Sequence, residues 1–195
     1  MWTRLTNGSN ELLVATKGGY AIRFSENDVR PMGRGAAGVH AIRLREGDEV
    51  IGMSVLREGG RVLTVSRTGY GRLTPISDYR IQTRGGMGIK NYRPENGEVA
   101  AIRVVNDDDD VIIINDTGVI IRIAVNEIRE CARPSKGVRV MKIEDGAKVV
   151  ALARVKHEDG EETASVDNTV EDESVSETVE ADESPETTTE DGAEE

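Results

Sequence analysis

Short apolar runs separated by polar turns recur along the first 156 residues. The run 11–20 (ELLVATKGGY) aligns with 61–70 (RVLTVSRTGY) and with 110–119 (DVIIINDTGV), at a spacing of about fifty residues. Each unit is a β-branched apolar run, a polar turn that contains glycine, and the start of a second run. Glycine supplies the positive φ that a tight hairpin turn requires. The pattern therefore predicts three β-hairpins.

The same features follow each hairpin in the same order. A basic residue comes first, then a glycine-rich loop (34–38, 84–88, 133–137), then a charged turn. A further apolar strand closes each unit, at Val50–Leu56, Val99–Val105 and Val149–Val155. All-β repeats of this length are typical of propeller blades or of a β-solenoid. The predicted fold class is all-β, with about three blade-like repeats and a core of Val, Ile and Leu.

These units define the expected domain organisation. Residues 2–6 (WTRLT) are predicted to be the last strand of a preceding blade, so the chain is expected to be part of a larger array. The expected segments are the end of that blade at 1–10, blade repeats at 11–60, 61–110 and 111–156, and an acidic tail at 157–195.

Charge divides the chain into two unlike parts. All 25 Lys and Arg lie between Arg4 and Lys156, where they outnumber 19 Asp and Glu, whereas 158–195 holds 17 acids and no base. The tail is also poor in apolar and aromatic residues, so it is expected to be disordered. Within the repeats, the segments 17–34, 67–93 and 122–142 hold 16 bases and 5 acids. Recurrence at one repeat position favours a basic stripe that matches the phosphates of duplex DNA. The alternative is that these charges only solvate the rims of the blades.

Several function classes find little support in the sequence. A single cysteine, Cys131, excludes an internal disulfide, and no apolar run approaches the length of a membrane span. The sequence 33–38 (GRGAAG) matches the dinucleotide fingerprint, but strands follow it where the fingerprint needs a helix. The four acids 107–110 would alternate faces in a strand and so converge poorly on a metal. No catalytic site is predicted, and neither a cofactor nor a metal is expected in this chain.

Three stretches carry a family resemblance. The segments 15–24 (ATKGGYAIRF), 28–39 (DVRPMGRGAAGV) and 42–50 (IRLREGDEV) resemble the C-terminal β-pinwheel of the DNA gyrase A subunit. The resemblance covers residues 1 to about 156 and continues into the tail, because many members of that family end in an acidic tail. The family's signature box, QRRGGKG, has only a degenerate counterpart here at 82–88 (QTRGGMG), where Thr83 and Met87 replace two bases.

The resemblance implies a six-bladed, strand-exchanged pinwheel whose basic perimeter wraps double-stranded DNA. This chain looks like the last three blades. The implied function is to support ATP-dependent negative supercoiling by a type IIA topoisomerase, with the gyrase B subunit plus the rest of the gyrase A subunit as partners. ATP and magnesium belong to the holoenzyme, and the chain by itself is expected to cut no DNA. The implied location is the bacterial cytoplasm, at the nucleoid.

Eleven basic residues within or beside these loops and hairpins are predicted to contact phosphates. They are Arg23, Arg30, Arg34, Arg67, Arg72, Arg84, Lys90, Arg122, Arg133, Lys136 and Arg139. Two alternatives stay open at this point: the C-terminal domain of the topoisomerase IV A subunit, which shares the repeat, and a propeller whose basic rim binds acidic proteins. A further hypothesis is that the acidic tail competes with DNA phosphates for the basic rim.

Overall fold

The computed structural model describes residues 2–157, which form three antiparallel sheets with only short 3-10 turns between strands. The acidic tail predicted for 157–195 lies, apart from His157, outside the described residues. The strands of the first repeat are β1 (Glu11–Thr16), β2 (Tyr20–Ser25) and β3 (Val50–Val55). Those of the second are β4 (Arg61–Ser66), β5 (Tyr70–Pro75), β6 (Ile89–Lys90) and β7 (Val99–Val105). Those of the third are β8 (Asp109–Asn115), β9 (Ile120–Ala124), β10 (Val138–Arg139) and β11 (Val149–Lys156).

Each predicted hairpin forms, and its glycine occupies the turn. The pairs β1–β2, β4–β5 and β8–β9 are antiparallel, and Gly19, Gly69 and Gly118 have φ values of 83°, 79° and 87°. The predicted third strands β3, β7 and β11 pair with β1, β4 and β8. The all-β blade prediction is therefore confirmed. Residues 2–6 are exposed and form no strand within the described part of the chain, and their assignment to the end of a preceding blade stays a prediction.

Neighbouring repeats exchange short strands. The first sheet has the order β3-β1-β2-β6, so its outer strand comes from the second repeat. In the second sheet β10, from the third repeat, takes the same place beside β5. The third sheet, β11-β8-β9, has no fourth strand among the described residues. The exchange that the resemblance implied is thus present at both junctions between the three repeats.

Of the three core clusters among the described residues, two lie between repeats, and the third lies within the first repeat, around Leu12, Ile22 and Phe24. One cluster joins Leu13 and Ala21 of the first repeat to Tyr79, Tyr92 and Ile102 of the second. A second cluster joins the second repeat to the third, with residues such as Leu63, Leu73, Ile113, Ile128 and Met141. Because each sheet buries its apolar face against the next, the repeats stabilise one another and hold the glycine-rich loops in fixed positions.

Candidate nucleic-acid interface

The exchanged strands bring two of the glycine-rich loops to the outer edge of the sheets. Strands β3, β7 and β11 form the opposite, inner side, since β7 packs against both β3 and β11. On the outer side, Gly88 and Gly137 precede β6 and β10 and have φ values of 69° and 80°. A Cβ atom at Gly137 would overlap the carbonyl oxygen of Gly71. Glycine at this position therefore permits the close approach that places β10 on β5.

Basic side chains on this outer edge are exposed to solvent. Lys90 lies in β6, and Arg139 lies at the matching position in β10. Lys136 precedes β10, and Arg30 and Arg34 lie in the irregular loop of the first repeat. None of these five side chains forms an ion pair with a carboxylate within residues 2–157. Their charge is thus available to an external anion.

Two tyrosines hold basic side chains at the same edge. Lys136 Nζ lies 3.9 Å from the centre of the Tyr70 ring, and Arg139 Nη2 donates a 3.1 Å hydrogen bond to the Tyr70 hydroxyl. That bond, together with the charges of Arg139 and Lys136, lowers the pKa of Tyr70. In the first repeat the guanidinium of Arg45 stacks on Tyr20, with 3.2 Å between Cζ and the ring centre. Such stacking restricts the motion of a long basic side chain.

Arg72 lies away from the surface that its predicted phosphate contact requires, and that prediction is corrected here. Its side chain is completely buried, and its Nε donates to the carbonyl oxygen of Ser135 at 3.2 Å. Its Nη2 donates to both the carbonyl oxygen and the side-chain Oδ1 of Asn91, the latter at 3.1 Å. Because the guanidinium is enclosed by β10 and the preceding loop, it cannot reach a phosphate in this arrangement. Arg72 instead ties the second repeat to the third.

Three more of the predicted residues are occupied with contacts between repeats. Arg23 pairs with Glu11 and donates to the carbonyl oxygens of Ile76 and Tyr79, at 3.0 and 2.9 Å. Arg23 thus reaches from the first repeat to the second. Arg84 reaches from the second repeat back to the first, where it donates to the carbonyl oxygens of Asp28 and His40 at 3.1 and 2.8 Å.

Arg133 makes the matching contact at the second junction. It donates to the carbonyl oxygens of Lys90, at 3.0 Å, and Asp78. The four residues that bridge repeats in this way are termed the junction arginines: Arg23, Arg72, Arg84 and Arg133.

The last two predicted residues form ion pairs. Arg67 Nη1 lies 3.5 Å from a carboxylate oxygen of Glu98. Arg122 Nε lies 2.6 Å from Oδ2 of Asp110, whose side chain is almost fully buried. Burial alone would raise the pKa of Asp110, but hydrogen bonds from His157 and Arg122 outweigh it and lower the pKa. Both arginines are partly neutralised and are weaker candidates for phosphate contact than the five unpaired residues.

One further set of basic residues escaped the sequence prediction. Arg43, Arg93 and Lys142 each stand five residues after a loop glycine, Gly38, Gly88 or Gly137, and all three are exposed. Counting from the loop glycine in each repeat would have revealed them. We define the outer rim by these three and the five unpaired residues: Arg30, Arg34, Arg43, Lys90, Arg93, Lys136, Arg139 and Lys142.

The acidic run 107–110 forms separate ion pairs. Asp107 pairs with Arg61, Asp108 lies 3.8 Å from Lys156, and Asp109 lies 3.3 Å from Arg154. The carboxylates thus face different cations, and the described residues contain no group of three or more His, Cys, Asp or Glu arranged to hold a metal.

The fold and the outer rim define a class, the strand-exchanged β-pinwheel with a basic perimeter. The family model described as "DNA gyrase C-terminal domain, beta-propeller" matches residues 10–57, 60–106 and 109–156. The chain belongs to this family. Over 188 residues it is 41% identical to the DNA gyrase A subunit of Staphylococcus epidermidis, covering 88% of this chain and 21% of that protein. The chain thus spans about a fifth of the length of such relatives.

Two solved structures share the arrangement of strands. The C-terminal domain of DNA topoisomerase IV has a TM-score of 0.75 and 27% identity, over 79% of this chain and 49% of that one. The DNA gyrase A C-terminal domain has a TM-score of 0.70 and 26% identity, over 75% of this chain and 50% of that one. Within residues 2–157 no helix has the length and apolar character needed to cross a membrane.

Proposed function

We propose that this chain binds and bends duplex DNA along its outer rim, as part of a gyrase A subunit. The observation that carries the proposal is the concentration of exposed basic side chains without carboxylate partners, among residues 2–157, on the edge formed by β6, β10 and their loops. A fixed row of cations matches the regular spacing of phosphates and binds them largely without regard to sequence.

The fixed positions of the outer-rim residues favour bending of the DNA over simple attachment to it. Lys90 and Arg139 are fixed by strand pairing to the neighbouring repeat, at Tyr20 and Tyr70. Because successive repeats present equivalent cations at fixed separation, a duplex that contacts all of them has to follow the surface. The cost of bending is offset by additional phosphate contacts.

Within the larger enzyme, we infer that this chain contributes DNA wrapping and not bond chemistry. The matched family model is a C-terminal domain, and the residues it matches account for all three repeats. Negative supercoiling would then require the gyrase B subunit together with the rest of the gyrase A subunit. The 41% identity to gyrase A subunits favours gyrase over topoisomerase IV, although both C-terminal domains share this fold.

Binding and bending are tested together on closed circular DNA. The full chain is added to relaxed plasmid, topoisomerase I is used to relax the complex again, and the linking number is measured after the protein is removed. A shift in linking number that grows with the amount of bound chain supports bending along a chiral path. Tight binding with an unchanged linking number would support attachment to DNA but contradict wrapping. Absence of binding at low salt would contradict both.

A further inference from the structure

A cavity of about 660 Å³ lies on the inner side of the sheets, away from the outer rim. Each inner strand contributes to its lining: β3 through Ser54 and Val55, β7 through Arg103 and Val104, and β11 through Ala153 and Arg154. Arg57, which follows β3, Asn10 and the irregular segment 3–5 complete the wall. All three repeats therefore contribute to one cavity.

The lining of this cavity is strongly basic. It includes four arginines, Arg4, Arg57, Arg103 and Arg154, and no acidic residue. Only Arg154 has a carboxylate partner in the described part of the chain, because its Nη1 lies 3.3 Å from Asp109. The other three guanidinium groups retain their full charge towards the cavity.

The remaining contacts of these arginines are with uncharged backbone carbonyls of adjacent residues. Arg103 donates to the neighbouring carbonyl of Ile102 at 2.9 Å, and Arg4 donates to the carbonyl of Thr3 at 2.7 Å. The Arg57 side chain forms no hydrogen bond or ion pair within residues 2–157. Burial lowers the pKa of Arg103, and the positive charge of Arg4 lowers it further. Like charges have thus been brought together without a compensating group, which a bound anion would supply.

We propose that the inner cavity binds a small polyphosphate, held chiefly by Arg57 and Arg103. The planar guanidinium group binds phosphate oxygens in a bidentate manner, and arginine remains charged at neutral pH. The cavity is within the size range of small-ligand sites, so it has room for several linked phosphate groups. This site is separate from the outer rim, so it goes beyond DNA binding and stands or falls independently of it.

The test is a calorimetric titration of the full chain with sodium tripolyphosphate at about 0.15 M salt, where exposed charges are screened. We expect one saturable site. Arg103→Gln and Arg57→Gln should each weaken binding by about tenfold or more, whereas the exposed control Arg80→Gln should leave it unchanged. Circular dichroism checks the fold of each variant. The Arg57 side chain is exposed, so Arg57→Gln tests the proposal even if the half-buried position of Arg103 tolerates no change.

Two further arms locate the site and its ligand. The double variant Lys136→Gln/Arg139→Gln, on the outer rim, should bind tripolyphosphate as well as the unchanged chain. Because the proposed site recognises only phosphate groups, adenosine triphosphate should bind about as tightly as tripolyphosphate. The proposal is overturned by the absence of saturable binding, by an equal effect of Arg80→Gln, by loss of binding in the rim variant, or by binding of the nucleotide alone.

Discussion

Arg23 and Arg122 occupy the same place in the first and third repeats, each paired with the carboxylate at the start of its hairpin, but lie in different surroundings. The side chain of Arg23 is only 17% exposed, and it donates to the carbonyl oxygens of Ile76 and Tyr79 in the second repeat. The side chain of Arg122 is 49% exposed, and no strand among residues 2–157 lies on the outer edge of β9. An apolar residue of the same strand is uncovered too, since Ile120 is 62% exposed. A repeat position therefore acquires its role from the neighbouring repeat, not from its own residue type.

The same difference separates the junction arginines from the outer rim. Arg72 and Arg139 lie on paired strands, β5 and β10, yet one contacts backbone carbonyls and the other faces solvent. Removing a junction arginine should change the stability of the chain, whereas removing a rim residue should change its affinity for DNA. Substitutions in the two groups can therefore be told apart by what they alter.

The largest effect is expected from Arg72→Ala. Removing the guanidinium leaves the buried carbonyl of Asn91 without its donor, so the free energy of unfolding should fall by about 3 kcal/mol. The exposed control Arg80→Ala should change it by no more than about 0.5 kcal/mol. Urea unfolding followed by circular dichroism measures both. Equal midpoints for the two variants would show that the buried contacts contribute nothing.

The close approach of β10 to β5 is tested by two glycines with the same backbone conformation. Gly137 and Gly146 have φ values of 80° and 86°, so alanine is strained at both positions, by about 1–2 kcal/mol. Only at Gly137 does a Cβ also meet the backbone of Gly71, while nothing lies within 4 Å at Gly146. Gly137→Ala should therefore be less stable than Gly146→Ala by about 1–3 kcal/mol. Equal unfolding midpoints would contradict the strand exchange at this junction.

Asp110 should make the stability of the chain depend on pH. It lies in the third sheet, whose outer edge carries no fourth strand among the described residues. Its pKa is lowered in the folded chain, so it binds protons more weakly when folded than when unfolded. The stability it contributes is present above its unfolded pKa, about 3.9, and is lost as the pH falls through the lower folded value. The difference in unfolding free energy between the unchanged chain and Asp110→Asn should shrink below about pH 4. A difference that stays constant from neutral to acidic pH would exclude this contribution.

The smallest effect concerns the phenol of Tyr70. Because Arg139 donates a hydrogen bond to it and adds positive charge, its pKa lies below the ordinary value, and Arg139→Gln should raise it. Ultraviolet titration, with the spectrum of Tyr70→Phe subtracted, isolates this group. Arg129→Gln, an exposed change elsewhere, serves as the control. An unaltered titration in Arg139→Gln would mean that the two side chains do not meet.

The sequence predicts the strands well because they depend on local patterns. Apolar runs and turn glycines mark the hairpins, and the observed β7, Val99–Val105, agrees with its predicted range. Residues 2–6 carry a strand-like pattern but find no pairing partner among the described strands, so their assignment to a preceding blade stays a prediction.

The roles of the basic residues were less predictable. Arg72 and Arg139 are both basic residues in short strands of the repeats, and what separates them is a set of carbonyl groups that belong to residues 19 and 63 positions further along the chain from Arg72. Such acceptors have no sequence signature. The recurrence of Arg43, Arg93 and Lys142 was visible in the sequence, whereas their exposure required the fold.

The central claim is that the outer rim, and not the junction or the inner cavity, binds DNA. It is tested most directly by measuring the affinity of the full chain for a long linear duplex across a salt series. Lys136→Gln/Arg139→Gln should weaken binding to every sequence and reduce the slope of log affinity against log salt by about two units. Arg103→Gln, in the inner cavity, should leave both unchanged. An unchanged slope in the rim variant, or an equal loss in Arg103→Gln, would contradict the claim.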